Sequence, residues 1–324
     1  MNILVLGKDG QLGKAYQGLF QSLLVPAGVQ IQYLGRAQCD LTRPEVLLEI
    51  LEQSKPNLII NTAAYTAVDK AETEEDLAYA INATAPEQMA IYAVKHGATL
   101  LHYSTDYVFD GSKSGFYVED DARNPLGVYG KSKAAGEVAI EKVFTQSSSG
   151  QFAIFRTSWV YGEGGNFIRT ILRLAKEHDE LRVIQDQYGV PTSANWLAKT
   201  SLDLALDSQW QLHQFASGIY HAVPSGETSW HHLACLAVQE VQKLGIPLKA
   251  QVASIKPILA VEYPLPAPRP MNSRMDTAKL RAALGQSLSK TSNSYNDSRN
   301  EPIFPEWDGL VKEYLSQLQQ QNLL

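Results

Sequence analysis

The chain has 324 residues, 44% hydrophobic and 19% charged, a composition that excludes a disordered chain and a coiled coil. Lys and Arg total 28 against 34 Asp and Glu, a formal net charge of −6, so the basic footprint of a nucleic-acid binder is missing. Two cysteines, Cys39 and Cys235, exclude a disulfide framework and a multi-thiolate zinc site. The first apolar run, Asn2–Leu6, is too short for a signal peptide. No stretch reaches the roughly 20 apolar residues that span a bilayer. A reduced, cytoplasmic protein without a membrane or nucleic-acid partner is expected.

Asn2–Leu6 reads as a buried strand, followed by a glycine-rich turn and a helix from about Leu12 to Leu24. Gln30–Leu34 alternates and reads as a second strand. Thr42-Arg43-Pro44-Glu45 reads as a capping box with a first-turn proline, opening a helix to about Gln53. Leu58–Ile60 is a third strand, Glu74–Val94 a helix, Thr99–Tyr103 a strand, Val128–Phe144 a helix and Phe152–Phe155 a strand. Apolar strands alternating with helices predict the α/β class, with a doubly wound parallel sheet and right-handed crossovers. Beyond about Gly162 the pattern loosens. Helices are predicted over Asn166–His178, Asn195–Leu206, Thr228–Leu244 and about Trp307–Leu318. Pro257–Pro270 carries five prolines and reads as an extended loop. Gln286–Pro302 is polar and aperiodic and reads as a mobile surface loop.

Gly7-Lys8-Asp9-Gly10-Gln11-Leu12-Gly13 places glycine at every third position between the first strand and its helix. A tight turn and close backbone approach need residues without Cβ, and the helix N-terminus offers N–H groups to a diphosphate. The bland alternative is a plain strand-to-helix turn. The second strand ends Tyr33-Leu34-Gly35-Arg36 without a carboxylate for a ribose 2′-hydroxyl. Arg36 suits a 2′-phosphate, which predicts NADPH with NADH as the lesser option. Arg36 is otherwise an ordinary exposed arginine. Asp40 and Leu41 are candidates to flank the adenine, unless Asp40 merely starts the next helix.

Tyr129-Gly130-Lys131-Ser132-Lys133 sets Tyr129 and Lys133 four residues apart, on one helix face. A tyrosine is a poor acid near pKa 10. An ammonium beside it is expected to move that value toward neutrality, so that the phenol gives a proton to a carbonyl oxygen as hydride reaches its carbon. Tyr103-Ser104-Thr105-Asp106-Tyr107 ends the preceding strand.

With these segments the chain resembles the extended short-chain dehydrogenase/reductases, closest to those that reduce nucleotide-linked keto sugars. Further matching segments are Asn61–Glu72, Tyr103–Gly111, Phe155–Tyr161, Asp186–Thr192 and Arg269–Arg274, so all but about 286–302 is covered. The resemblance implies reduction of the C4 keto group of dTDP-4-dehydro-β-L-rhamnose to dTDP-β-L-rhamnose. Tyr129 would be the general acid, Lys133 would hold the nicotinamide ribose and tune Tyr129, and Thr105 would hydrogen-bond the carbonyl oxygen. Ser104 competes with Thr105, and strand alternation lets only one of them face the cofactor. Gly7, Gly10, Gln11, Leu12, Gly13, Ala63, Ala64 and Tyr65 would line the cofactor. Val68, Tyr107 and Trp159 are candidate sugar or base contacts, with core packing as the alternative for Trp159. Arg269 and Arg274 are candidates for the diphosphate, or for a salt bridge to Asp276. Asn166 either contacts the sugar or caps its helix.

Some members of this family dimerise through a carboxylate-bound magnesium ion. Here Lys14-Ala15 and Ser193-Ala194-Asn195 stand at ligand positions, leaving Asp308, so no metal site is expected, and a monomer or weak homodimer is. The seven histidines read as structural or solvated. The expected organisation is a dinucleotide domain of about 1–160 plus 185–225, and a substrate domain of about 161–184 plus 226–324. Another nucleotide-sugar reductase or epimerase remains an alternative. So does a regulatory subunit similar to that of methionine adenosyltransferase.

Overall fold

The computed structural model describes residues 1–290 and 303–324. The chain opens β1 (Asn2–Leu6), α1 (Gln11–Ser22), β2 (Gln30–Leu34), α2 (Pro44–Ser54) and β3 (Leu58–Asn61). Next come short helices α3 (Val68–Ala71) and α4 (Glu75–Tyr79), then α5 (Ala85–His96), β4 (Thr99–Thr105), α6 (Val128–Thr145) and β5 (Gln151–Thr157). The middle holds β6 (Val160–Tyr161), α7 (Phe167–Glu177), β7 (Leu181–Ile184), β8 (Tyr188–Gly189), β9 (Thr192–Ser193) and α8 (Ala194–Ala205). It ends with β10 (Gly218–His221), β11 (Thr228–Ser229), α9 (Trp230–Lys243), β12 (Ile255–Ile258), α10 (Ala278–Lys290) and α11 (Trp307–Gln320).

The main sheet has six strands in the order β10-β5-β4-β3-β1-β2. Every pairing in it is parallel. β3, β4 and β5 are buried along their whole length, which is why they read as apolar runs rather than alternating ones. One face packs on α1, α8 and α10 through Tyr16, Phe20, Leu197 and Leu280. The other packs on α2, α5 and α6 through Leu47, Leu51, Met89 and Ile140. A second core joins α7, α9 and α11 around Leu172, Leu233 and Leu315. β7 pairs in parallel with β12 beside it.

Several expectations change. Thr42 does not cap α2. Its hydroxyl donates to Asp40 Oδ1 at 2.9 Å, and Arg43 is the N-cap residue without a side-chain cap. The Glu74–Val94 helix is α4 and α5 joined by a π turn, Ala80–Thr84. Such turns are rare and often fall at functional sites, and this one carries the fully buried Asn82. Pro257 lies inside β12, and only the rest of the proline segment is loop and short 3-10 turn. α10 was not expected, and it covers the first five residues of the 286–302 segment. The remainder of that segment lies outside the described residues. Leu280, Leu284 and Phe304 join the core of the large sheet, so this stretch packs with the dinucleotide unit rather than with 226–277. Leu280 is 0% exposed. Leu280→Ala should therefore cost roughly 2–5 kcal/mol, read as a lower urea midpoint with an unchanged slope.

Candidate functional site

Strand order reverses between β1 and β3, so the carboxyl ends of these strands frame the crevice where a doubly wound sheet binds its ligand. Gly7 leaves β1 with φ +85°, and a Cβ there would lie 2.6 Å from the Ala63 nitrogen. A Cβ on Gly13 would meet the Gly7 carbonyl oxygen at 2.2 Å. Gly10 has ordinary clearance, and as N-cap of α1 it offers no side-chain cap. The first turn of α1, Gln11 to Gly13, carries no acid. Gln11 Oε1 is buried without a partner. An uncapped, glycine-lined helix start, with free N–H groups, fits a dinucleotide diphosphate.

Arg36 is exposed at the end of β2. Lys8, not singled out from sequence, lies alongside: a Cβ on Gly35 would stand 3.3 Å from Lys8 Cε. Asp40 Oδ1 accepts from the Thr42 amide and hydroxyl, which hold its carboxyl below the usual range, and Arg36 adds to this. The Leu41 side chain is 7% exposed and packs with Leu47 and Leu51. It is part of the core.

Past β3, Ala63, Ala64 and Tyr65 form the opposite lip. Asn82 fixes it: its Oδ1 accepts from the Tyr65 amide at 2.9 Å, and its Nδ2 donates to the Tyr65 carbonyl and Ser132 Oγ at 3.0 Å each. Sequence reading missed Asn82, although an asparagine within an otherwise apolar helix was the available signal.

α6 brings the reacting groups to the end of β4. Gly130 allows the close approach, since a Cβ there would strike the Tyr107 carbonyl oxygen at 2.2 Å. The Tyr129 ring meets the Tyr107 ring edge to face, with centroids 5.4 Å apart. Burial pushes the Tyr129 phenol up to about 12, opposed by the Thr105 hydroxyl beside it. Of the two strand residues it is Thr105 that lies beside Tyr129, while Ser104 Oγ is buried without a hydrogen-bond partner. Lys133 is 1% exposed, and its Nζ donates to the Tyr103 carbonyl at 2.5 Å. Burial lowers it to about 8, with Glu137 pulling the other way. The expectation that Lys133 draws Tyr129 toward neutrality is corrected: its ammonium is spent on β4, and burial dominates the phenol. His102 Nε2 lies 3.3 Å from the same Nζ, so this histidine belongs to the site rather than to the structural or solvated set. Asp106 was also missed. It is 2% exposed, accepts from Thr105 Oγ1 at 2.8 Å, and burial raises it to about 6.

The substrate side converges from loops. Val68 opens α3, where Asp69 Oδ1 accepts from Arg269 Nη2 at 2.9 Å. The Arg269 guanidinium stands 6.0 Å from the Tyr107 ring centroid. Arg274 pairs with Glu227 at 3.0 Å, not with Asp276, and lies between Phe116 and Tyr188. Trp159 holds φ +48° and stacks on Trp230 at 3.7 Å. Asn166 is corrected to a helix cap. Its Oδ1 accepts from the Arg169 amide, and its Nδ2 donates to the Gly162 carbonyl and the Tyr314 hydroxyl. No donor is left for a sugar.

Lys14 pairs with Glu163, and Asp308 with Lys312. Among the described residues no three His, Cys, Asp or Glu side chains gather as a metal site, and no helix is long and apolar enough to cross a membrane. Two cavities, of about 290 Å³ beside Arg123 and Lys279 and about 330 Å³ beside Arg169 and Arg173, contain none of the Thr105, Tyr129 and Lys133 set.

A glycine turn at the switch point of a parallel sheet, facing a Tyr-x-x-x-Lys helix, defines an extended short-chain dehydrogenase/reductase. The chain belongs to the family described as RmlD substrate binding domain, which it matches over residues 1–300. It is 41% identical to dTDP-4-dehydrorhamnose reductase of Escherichia coli K12 over 98% of each chain. With the Burkholderia thailandensis protein of that name it shares 40% over 89% of this chain and 94% of that one. A Bacillus anthracis dTDP-4-dehydrorhamnose reductase solved in complex with NADP superposes with a TM-score of 0.80 at 30% identity, covering 98% of this chain and 99% of that one.

Gly13→Ala should lower NADPH affinity by about tenfold or more, because the helix start must move off the Gly7 carbonyl. Titration of cofactor fluorescence reads this directly.

Proposed function

We propose that the chain is an NADPH-dependent reductase of the C4 keto group of dTDP-4-dehydro-β-L-rhamnose, yielding dTDP-β-L-rhamnose. The observation that carries this is the grouping of Thr105, Tyr129 and Lys133 at the carboxyl end of β4, the strand next to β3, in a chain with near-full-length likeness to reductases of that name. The residues that would hold the cofactor are Gly7, Gly10, Gln11, Leu12 and Gly13 at the diphosphate, Arg36 with Lys8 at the 2′-phosphate, Ala63–Tyr65 along the lip, and Lys133 at the ribose. When bound, the reduced nicotinamide supplies a hydride.

Tyr129 supplies the matching proton to the C4 oxygen. With its pKa near 12 it stays protonated through neutral pH, as a general acid must. Lys133, charged below about pH 8, holds the nicotinamide ribose. Thr105 orients the carbonyl oxygen. Its hydroxyl donates to Asp106, so it must turn from Asp106 to donate to the carbonyl oxygen. Trp159, Tyr107 and Val68 shape the sugar pocket, with Trp230 bracing Trp159. Arg269 and Arg274 take the diphosphate, with Arg269 held in place by Asp69. The dinucleotide unit comprises about 1–160 and 185–225, joined by α10. The substrate unit comprises about 161–184, 226–277 and the C-terminal helix. A cytoplasmic monomer or weak homodimer, with no nucleic-acid or membrane partner, completes the reading.

Tyr129→Phe should lose at least about a hundredfold in kcat while NADPH affinity stays within about twofold. Unchanged turnover would remove the assigned acid. Arg36→Asp should weaken NADPH by about tenfold relative to NADH. Equal loss for both cofactors would show that Arg36 does not read the 2′-phosphate.

A further inference from the structure

His102 sits in the middle of β4, 0% exposed, and in register beside Asn61 of β3. Asn61 is 1% exposed. Its Oδ1 accepts from the Ala63 amide at 3.2 Å, so its Nδ2 is the atom turned to His102 Nδ1, 3.0 Å away. Rotating the amide would set an NH2 group against the Ala63 N–H. An amide NH2 only donates, so His102 Nδ1 carries the lone pair. A neutral imidazole then has its proton on Nε2. Burial holds this imidazole neutral, well below its usual range. Its Nε2–H is left facing Lys133 Nζ at 3.3 Å.

Two donors face each other there if Lys133 is an ammonium. The contact becomes a hydrogen bond when Nζ is a neutral amine that accepts from Nε2–H and still donates to the Tyr103 carbonyl. We propose that His102, locked by Asn61 as the Nε2–H tautomer, is a positioning residue that sets the proton state of Lys133 and so the alkaline limit of the reaction. The other titratable groups around Lys133 do not replace it. Glu137, one turn on along α6, is engaged by Arg156 at 2.7 and 2.9 Å and by Arg123 at 2.6 Å. Tyr129 is protonated and Asp106 is turned to Thr105. The direction found for Lys133, down to about 8, agrees with this.

The kinetic arm of the test rests on the reductase reading; the binding arm does not. NADPH affinity, by cofactor fluorescence, and kcat/KM are each measured over about pH 6 to 10, a range spanning the lysine's shifted and ordinary values. The wild-type protein should show an alkaline break near 8 in both. In Asn61→Asp the carboxylate accepts from both Ala63 N–H and His102 Nδ1–H. The Nε2 lone pair then faces the ammonium, and the break should move up by about one unit or more. His102→Gln should move it the same way, because its amide is free to present oxygen to Nζ. That variant decides the matter if Asn61→Asp does not fold. A wild-type profile without the break, or variants that lose kcat with the break unmoved, would overturn the proposal. A wild-type protein that shows the binding break but reduces no sugar would overturn the assigned reaction and leave this inference standing.

Discussion

A buried lysine of α6 that reaches across to β4 is the constraint on which the site depends. Lys133 Nζ is out of water and held by the Tyr103 carbonyl, which ties α6 to β4 at one point. An ion removed from solvent is costly unless its hydrogen bonds are made. The structure around it is correspondingly exact in its packing. Gly130 lets α6 touch the Tyr107 carbonyl, and Gly136 lets it touch the Asn82 carbonyl, where a Cβ would stand 2.0 Å away. With those two approaches fixed, Tyr129 and Thr105 are brought together without any direct link between Tyr129 and Lys133.

The Arg269–Arg274 segment reaches α3 through Asp69 and β8 through Ser273. The Ser273 amide in turn donates to the Tyr188 carbonyl at 2.7 Å, and Gly189 lies against the Trp159 indole. A proline-bounded loop is therefore pinned to α3 and to the segment against Trp159 at once. Arg269 is held there by Asp69 and by the Ala267 carbonyl, so its guanidinium is positioned before any ligand arrives.

The main sheet was legible because β1, β3, β4 and β5 are buried on both faces and read as unbroken apolar runs. Tyr129 and Lys133 were legible because helical spacing puts them on one face. That spacing says nothing about where a long side chain ends, and Nζ turned out to serve β4. β10 is four residues long, and β7 and β12 pair across a gap in sequence, so neither carries a local signal. α10 shows apolar residues at Leu280 and Leu284, four apart, but runs straight into a polar stretch that masks its end. Thr42 was misread because Asp40, two residues earlier, competes for its hydroxyl. His102 and Asn82 were visible as polar residues in apolar elements. What they bond depends on tertiary register, which no single sequence displays.

The reductase reading is tested most directly by following NADPH oxidation with dTDP-4-dehydro-L-rhamnose formed in place from dTDP-glucose by the dehydratase and the epimerase. The account predicts oxidation that requires both preceding enzymes and stops when the epimerase is left out. Oxidation independent of the epimerase, or none while NADPH still binds, would contradict it.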